Sequence, residues 1–338
     1  MNKEKILLIL TGGTICSFKN KKGEKKSDAE KAERLIKSIF IKNNPKYNNL
    51  EFDEVITMDI LSENMTPSGW NELINIMKKS NIESYCGVII LHGTDTLAYT
   101  SSMLSIVFAG ISVPVFLVSS QLPLSEKEAN GNDNFKVAVS LIMNNIEPNV
   151  YVPYRNMNGE MLIHLGSHLL QCPNLSDDFS SKDSWKIDDI DNFKFKGIKF
   201  ESNERLYDKI DEFKASVIKI NPYVGLNYEY FDFKKIDAVI HGTYHSQTLC
   251  VEEDMFSALK LIDFKIPVFI EPCNYEQDRN MSCYETTAKA VKCGVIPIWG
   301  MTSEMVYVKA MTGVALGYKN ESLVEFMLNT HINYEFHY

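Results

Sequence analysis

From Lys5 to Asn144 the chain repeats one pattern, and that pattern restricts the folds open to it: a short aliphatic run, a turn, then residues with apolar side chains at helical spacing. Lys5–Leu10, Glu54–Ile60, Gly87–Leu91 and Val113–Val118 read as strands. Between them, Ala29–Phe40 sets Leu35, Ile36 and Ile39 on one side of a helix. Thr66-Pro67 supplies an N-cap and a first-turn proline for a helix through Lys78. Leu97–Phe108, closed by Gly110, and Asn134–Asn144 follow as helices. Strands that alternate with helices in this way predict a doubly wound, mostly parallel sheet covered on both faces. Such sheets take their ligands at the carboxyl ends of the strands, near a topological switch point. Two distinctive turns fall just there, Thr11-Gly12-Gly13-Thr14 and His92-Gly93-Thr94-Asp95-Thr96.

The polar stretch from Asp177 to Glu212 lacks periodicity and predicts an irregular crossing. Alternation then resumes, with strands at Val217–Ile220, Ala238–Ile240 and Val268–Ile270 and helices at Glu252–Leu261, Thr286–Lys292 and Ser303–Leu316. At about 150 residues per domain, 338 residues make two. The expectation is a larger N-terminal α/β domain over 1–190, a linker over 191–212 and a smaller C-terminal α/β domain over 213–338.

Composition removes several function classes. The longest apolar runs fall far short of the ~20 residues of a membrane helix. Ile6–Leu10 is too short for a signal-peptide core and leads into Thr-Gly-Gly without a cleavage site, so a cytoplasmic protein is expected. The net charge of −9, from 35 basic and 44 acidic residues, argues against nucleic acid as the main partner. The one basic cluster, between Lys19 and Lys26, suits either a solvated loop or the steering of an anion. Seven scattered cysteines, an odd number without a C-x-x-C pair, read as reduced thiols. Cys273, Cys283 and Cys293 lack further ligands at metal spacing, so neither a metal nor a cofactor is expected. A dinucleotide-binding fold is disfavoured, because Thr-Gly-Gly-Thr is not G-x-G-x-x-G.

The two turns carry the chemistry. Adjacent glycines let the backbone approach a ligand closely and leave amides pointing at it, with the Thr14 hydroxyl exposed beside them. An ordinary strand-to-helix turn would look the same. In the second turn, a carboxylate flanked by hydroxyls can anchor an amine or orient a nucleophile, or can cap the following helix.

Together the motifs Thr11–Ile15 and His92–Thr100 resemble the two signatures of the L-asparaginase family, the type I cytoplasmic branch in particular. Weaker likenesses run through Ser62-Glu63-Asn64-Met65-Thr66-Pro67, Ser119–Leu124 and Met301–Glu304. The resemblance implies an amidohydrolase in which Thr14 attacks a side-chain amide to form an acyl-enzyme. Thr94 and Asp95 would supply a second hydroxyl and a carboxylate that also holds the α-amino group, and Ser62 would hold the α-carboxylate. The substrate-binding set it implies is Gly13, Ser62, Glu63, Gly93 and, from a neighbouring subunit, Ser246. It also implies a homodimer or homotetramer acting on a small-molecule or peptide amide.

Departures from the family pattern cluster on the same cleft. Glu24 falls where the family's lid tyrosine belongs, and Glu128-Ala129-Asn130-Gly131 replaces Arg-Ser-Asp-Gly. Thr243-Tyr244-His245-Ser246 replaces Gly-x-Gly-Asn. A gapless count from Gly159 puts His164 at the catalytic lysine, as a stand-in base. Two expectations follow: an amidohydrolase with altered chemistry or substrate, or a catalytically impaired homologue that binds an amino acid or amide, or serves as a structural subunit.

Overall fold

The computed structural model describes residues 5–19, 22–187, 205–210, 212–250, 266–273 and 284–336. These fall into two compact units, one holding 5–187 with 205–207 and the other 208–336. The expected helix over Glu252–Leu261 lies outside the described residues, as does Cys283.

In the first unit, β1 (Lys5–Gly12) leads into a hairpin of β2 (Ser17–Lys19) and β3 (Lys25–Ser27), and then into α1 (Ala29–Asn43) and β4 (Glu51–Ile60). Next come α2 (Pro67–Lys79), β5 (Gly87–Leu91), α3 (Leu97–Val107), β6 (Val115–Val118) and α4 (Gly131–Met143). Three strands finish the unit, β7 (Val150–Arg155), β8 (Met161–Leu165) and β9 (Ser184–Lys186). The sheet order is β4-β1-β5-β6-β7-β8-β9. It is parallel from β4 to β7 and antiparallel beyond. The chain steps from β1 to β4 on one side and then crosses to β5 on the other, so β1 is the switch point. Its residues Ile6–Leu10 are fully buried, as a central parallel strand covered on both faces must be.

Local chemistry sets the element ends. Asp28 caps α1 by accepting from Lys31 N at 3.1 Å, and Thr66 caps α2 by accepting from Gly69 N at 3.3 Å. The doubly wound sheet matches the sequence expectation, but strands β7 to β9 were not anticipated. Pro153 and the buried His164 interrupt the aliphatic pattern that marks β1 and β5. The β2–β3 hairpin hides in the lysine-rich stretch that read as solvated loop.

The second unit is a parallel sheet of β10 (Val217–Ile220), β11 (Ala238–Gly242), β12 (Val268–Cys273) and β13 (Ile296–Trp299), in that order. Ile220, Val239, Ile270 and Val295 pack in its core. Helices α5 (Glu285–Lys292), α6 (Ser303–Ala315) and α7 (Asn320–Asn329) accompany it, the strand Ile296–Trp299 and the last helix being additions to the expected elements. On α6, Lys309 is wholly buried and is satisfied by Glu335 Oε1 at 3.0 Å and the Thr330 carbonyl at 2.6 Å. Glu335 Oε2 in turn accepts from Ile332 N at 2.7 Å, so this pair ties the end of the chain to the core.

Removing one member of a buried ion pair strands the other charge. Lys309→Ala is expected to lower stability by about 3–5 kcal/mol, and Lys309→Met combined with Glu335→Leu by markedly less. Urea unfolding of the three proteins measures both.

Candidate functional site

Three chain segments converge at the carboxyl end of β1, and they do so through backbone. Gly13 N donates to Ile60 O at 2.7 Å, and Thr11 Oγ1 donates to Leu91 O at 3.0 Å. Gly12 and Gly13 have φ of 109° and 83°, a region that favours glycine. Space dictates the same choice. A methyl group on Gly12 would lie 2.1 Å from Ile60 O, one on Gly13 would lie 2.3 Å from Gly93 Cα, and one on Gly93 would meet Ser62 Oγ at 2.4 Å. Asp59, just before Ile60, is itself left-handed at φ 46°, and its side chain takes a hydrogen bond from Ser27 on the hairpin. The strand end and the hairpin are thereby tied together.

Thr14 opens a single 3₁₀ turn, Thr14–Cys16, and is half-buried. The turn is fixed from below: Gly13 O accepts from Cys16 N at 3.1 Å and from Ser17 Oγ at 2.8 Å.

Across from it, buried Ser62 organises the Thr-Asp turn. Its hydroxyl donates to Asp95 Oδ2 at 3.0 Å and accepts from Asp95 N at 3.1 Å, while Ser62 O accepts from Thr96 Oγ1 at 3.0 Å. The Ser62 proton is therefore committed to Asp95. Thr94 is half-buried, and Asp95 and Glu63 are exposed. Below them His92 is wholly buried, donates from Nδ1 to Gly93 O at 2.8 Å, and is pushed down to about 4 by burial. It is a neutral prop for the turn at physiological pH.

The segment after β6 is clasped on itself. Gln121 and Asn130 bond reciprocally, Gln121 N to Asn130 Oδ1 and Asn130 N to Gln121 Oε1, both at 3.1 Å. Ser120 Oγ accepts from Gly131 N at 3.0 Å, which fixes the start of α4. Asn130, in the family's aspartate position, thus serves as a loop clasp.

His164 is engaged with a different partner. It sits within β8, wholly buried, with Nδ1 bonded to Ser181 Oγ at 2.9 Å and burial pushing it down to about 3. Among the described residues it has no hydrogen bond to Thr14, Thr94 or Asp95. The side chain that the segment after β8 does bring to the turn is Gln171, whose Nε2 donates to Asp95 O at 2.6 Å. Neither spacing nor residue type marked Gln171 in the sequence. Ser246 belongs to the second unit, in a tight turn where its hydroxyl pairs with Thr248 Oγ1 at 3.1 Å. Lys19 of the basic cluster is paired with Glu126 at 2.8 Å. Among the described residues no group of three or more His, Cys, Asp or Glu could hold a metal ion, and no described helix is long and apolar enough to cross a membrane.

The family model described as "Asparaginase, N-terminal" matches residues 5–193. A glutamyl-tRNA(Gln) amidotransferase subunit of Sulfurisphaera tokodaii is 28% identical over 330 residues, covering 91% of this chain and 70% of that protein. The L-asparaginase of Thermococcus kodakarensis is 26% identical over 329 residues, covering 94% of each. Among solved structures, the thermostable L-asparaginase from Thermococcus kodakarensis superposes with a TM-score of 0.78 at 23% identity, over 98% of this chain and 99% of that one. L-asparaginase I from Vibrio cholerae gives 0.71 at 20% identity, over 98% of each.

Two outcomes test this geometry. Gly13→Ala drives a Cβ into the Gly93 backbone, whereas Gly23, at a similar φ of 82°, faces open space. Gly23→Ala is expected to lower stability by about 1–2 kcal/mol, and Gly13→Ala by more than about 4 kcal/mol or to prevent folding, as read by thermal denaturation. The second concerns protons. The folded-state pKa values of His92 and His164, about 4 and about 3, lie below that of an unfolded histidine, so the unfolded chain binds more protons as pH falls. Their contribution to stability is full above pH ~6.5 and declines toward pH ~4, by roughly 1.4 kcal/mol per pH unit for each histidine. His164→Asn should remove its share of that slope in urea titrations between about pH 6.5 and 4.5.

Proposed function

The chain belongs to the asparaginase family and is an amidohydrolase of that kind, and we propose that it hydrolyses a side-chain carboxamide through an acyl-threonine at Thr14. The substrate class is asparagine, glutamine, or a derivative or peptide carrying one of them. The observation that carries this is the convergence of Thr14, Ser62 and Thr94-Asp95 at one strand end, held by contacts too close for any residue but glycine at positions 12, 13 and 93.

In the first step Thr14 Oγ1 attacks the amide carbon, the hydroxyl proton passes toward Thr94 and Asp95, and the C–N bond breaks as the nitrogen takes a proton and leaves as ammonia. Water then cleaves the threonine ester, giving the carboxylate product and restoring the hydroxyl. Asp95 is suited to a ligand ammonium because its carboxylate is exposed while its orientation is fixed by Ser62. The Ser62 hydroxyl, spent on Asp95, supports the substrate carboxylate only if that bond is exchanged. The proposed steps do not use His164, which is bonded to Ser181 and, protonating near pH 3, is a poor acceptor for a threonine proton. We further propose a cytoplasmic homodimer or homotetramer, in which Ser246 serves a neighbour's site. The thiols of Cys16, Cys86, Cys172, Cys250 and Cys293 are free, as a reducing compartment would keep them.

One observation favours a second assignment, a catalytically impaired subunit: a neutral amide, Gln171, is the group that reaches Asp95 from the segment after β8. Ammonia release from L-Asn, L-Gln, D-Asn and short Asn- or Gln-containing peptides separates the two. Thr14-dependent release from at least one is expected, with Thr14→Ala reduced to background at an unchanged melting temperature. Activity that survives Thr14→Ala would exclude the acyl-threonine, and silence across the panel would favour the impaired homologue.

A further inference from the structure

We infer that Gln171 is a positioning residue for Asp95, holding the carbonyl of a turn whose amide is held by Ser62. The inference rests on the part assigned to Asp95 above. Gln171 stands 76 residues from its partner, so the contact is built by the fold. The Asp95 main-chain oxygen can only accept, which fixes the amide nitrogen of Gln171 as the atom that faces it.

The support beneath Gln171 is extensive. Leu169 forms an antiparallel bridge with Ser181, and Leu170 N donates to Ser180 O at 3.0 Å. The loop that follows closes on itself, with Cys172 Sγ donating to Ser176 O at 3.0 Å. Asn156 clasps its far end, donating to Phe179 O at 2.9 Å and accepting from Phe179 N at 3.0 Å. Phe179 is buried, its ring 4.7 Å from that of Tyr154. The backbone that carries the Gln171 side chain is therefore fixed before the amide bonds, and only the side chain remains to be ordered. With Ser62 on the Asp95 amide and Gln171 on its carbonyl, both main-chain groups of the residue are held, while the Ser62 hydroxyl holds the carboxylate.

Gln171 does this without charge. It restrains Asp95 through the main chain and adds no charge beside the carboxylate.

The test uses the full chain and two variants. Gln171→Leu keeps the bulk and removes the donor; Gln171→Glu keeps the shape and, when ionised, opposes the Asp95 carbonyl. Hydrogen exchange of the peptide spanning Thr94–Leu97, corrected for intrinsic rates, should lose protection by roughly tenfold in both at about pH 7. Gln171→Glu should regain it near pH ~4, where a protonated carboxyl can again donate. In parallel, calorimetry compares L-aspartate with succinate, which lacks the amino group. Wild type should prefer L-aspartate, and Gln171→Leu should lose most of that preference with succinate affinity unchanged. Wild-type protection in both variants overturns the inference, as does an equal loss of affinity for both ligands. If wild type binds neither ligand while protection still falls in the variants, the positioning role stands and the part assigned to Asp95 as holder of a free aspartate-like ligand is what fails.

Discussion

Everything at this site depends on how closely three backbones approach at the carboxyl end of β1. Gly12 lies against Ile60, Gly13 against Gly93, and Gly93 against the Ser62 side chain. At such distances a single methyl has nowhere to go, because the contacts are chiefly with main chain, which cannot swing aside as a flexible side chain can. The switch-point topology brings the strand ends together, and the glycines convert that proximity into contact. Backbone groups then satisfy one another across the gap, so the loop bearing Thr14 and the turn bearing Asp95 are registered by Gly13–Ile60 and Ser62–Asp95 hydrogen bonds. Asp59, left-handed without being glycine, is a strained residue of the kind that collects where geometry is over-determined.

The electrostatics around this frame are quiet. His92, within the second signature motif, and His164, expected as a stand-in base, are both buried and neutral. The charge exposed at the Thr-Asp turn is the Asp95 carboxylate, beside that of Glu63. A site of this sign favours a ligand that arrives with an ammonium group, and an acidic protein with a net charge of −9 adds no long-range pull toward polyanions.

How much of this was legible in the sequence follows from the range of the interactions. Aliphatic runs ended by glycine turns reveal β1 and β5, and with them the positions of Thr14, Thr94 and Asp95. Ser62 was legible through its neighbours in Ser62–Pro67. The hydrogen bonds that make Ser62 the organiser of Asp95 were not, because they join residues 33 apart. His164 shows the opposite case. It pairs with Val152 inside the sheet, a placement that a count along the chain does not reveal. Gln171 left no trace, since a lone glutamine in a polar stretch has no pattern, and its role arises from a loop clasped by Asn156 and Phe179.

The departure at the family's catalytic lysine has to be weighed against what the site retains. A positioned acid–base group is worth about 10²–10⁴ in rate, or roughly 3–5 kcal/mol. Holding nucleophile and substrate in register is worth more, roughly 7–11 kcal/mol when the reacting groups are well oriented. In the proposed mechanism the glycine contacts, the Ser62 bridge and the Gln171 bond would all serve the larger of these two quantities. A threonine activated less strongly but held as firmly would therefore keep most of the advantage over the uncatalysed reaction, and its rate would be limited by proton transfer from Oγ1. Such an enzyme would be slow on any amide, and its selectivity would come from which ligand ammonium fits between a carboxylate fixed by Ser62 and a turn fixed by Gln171.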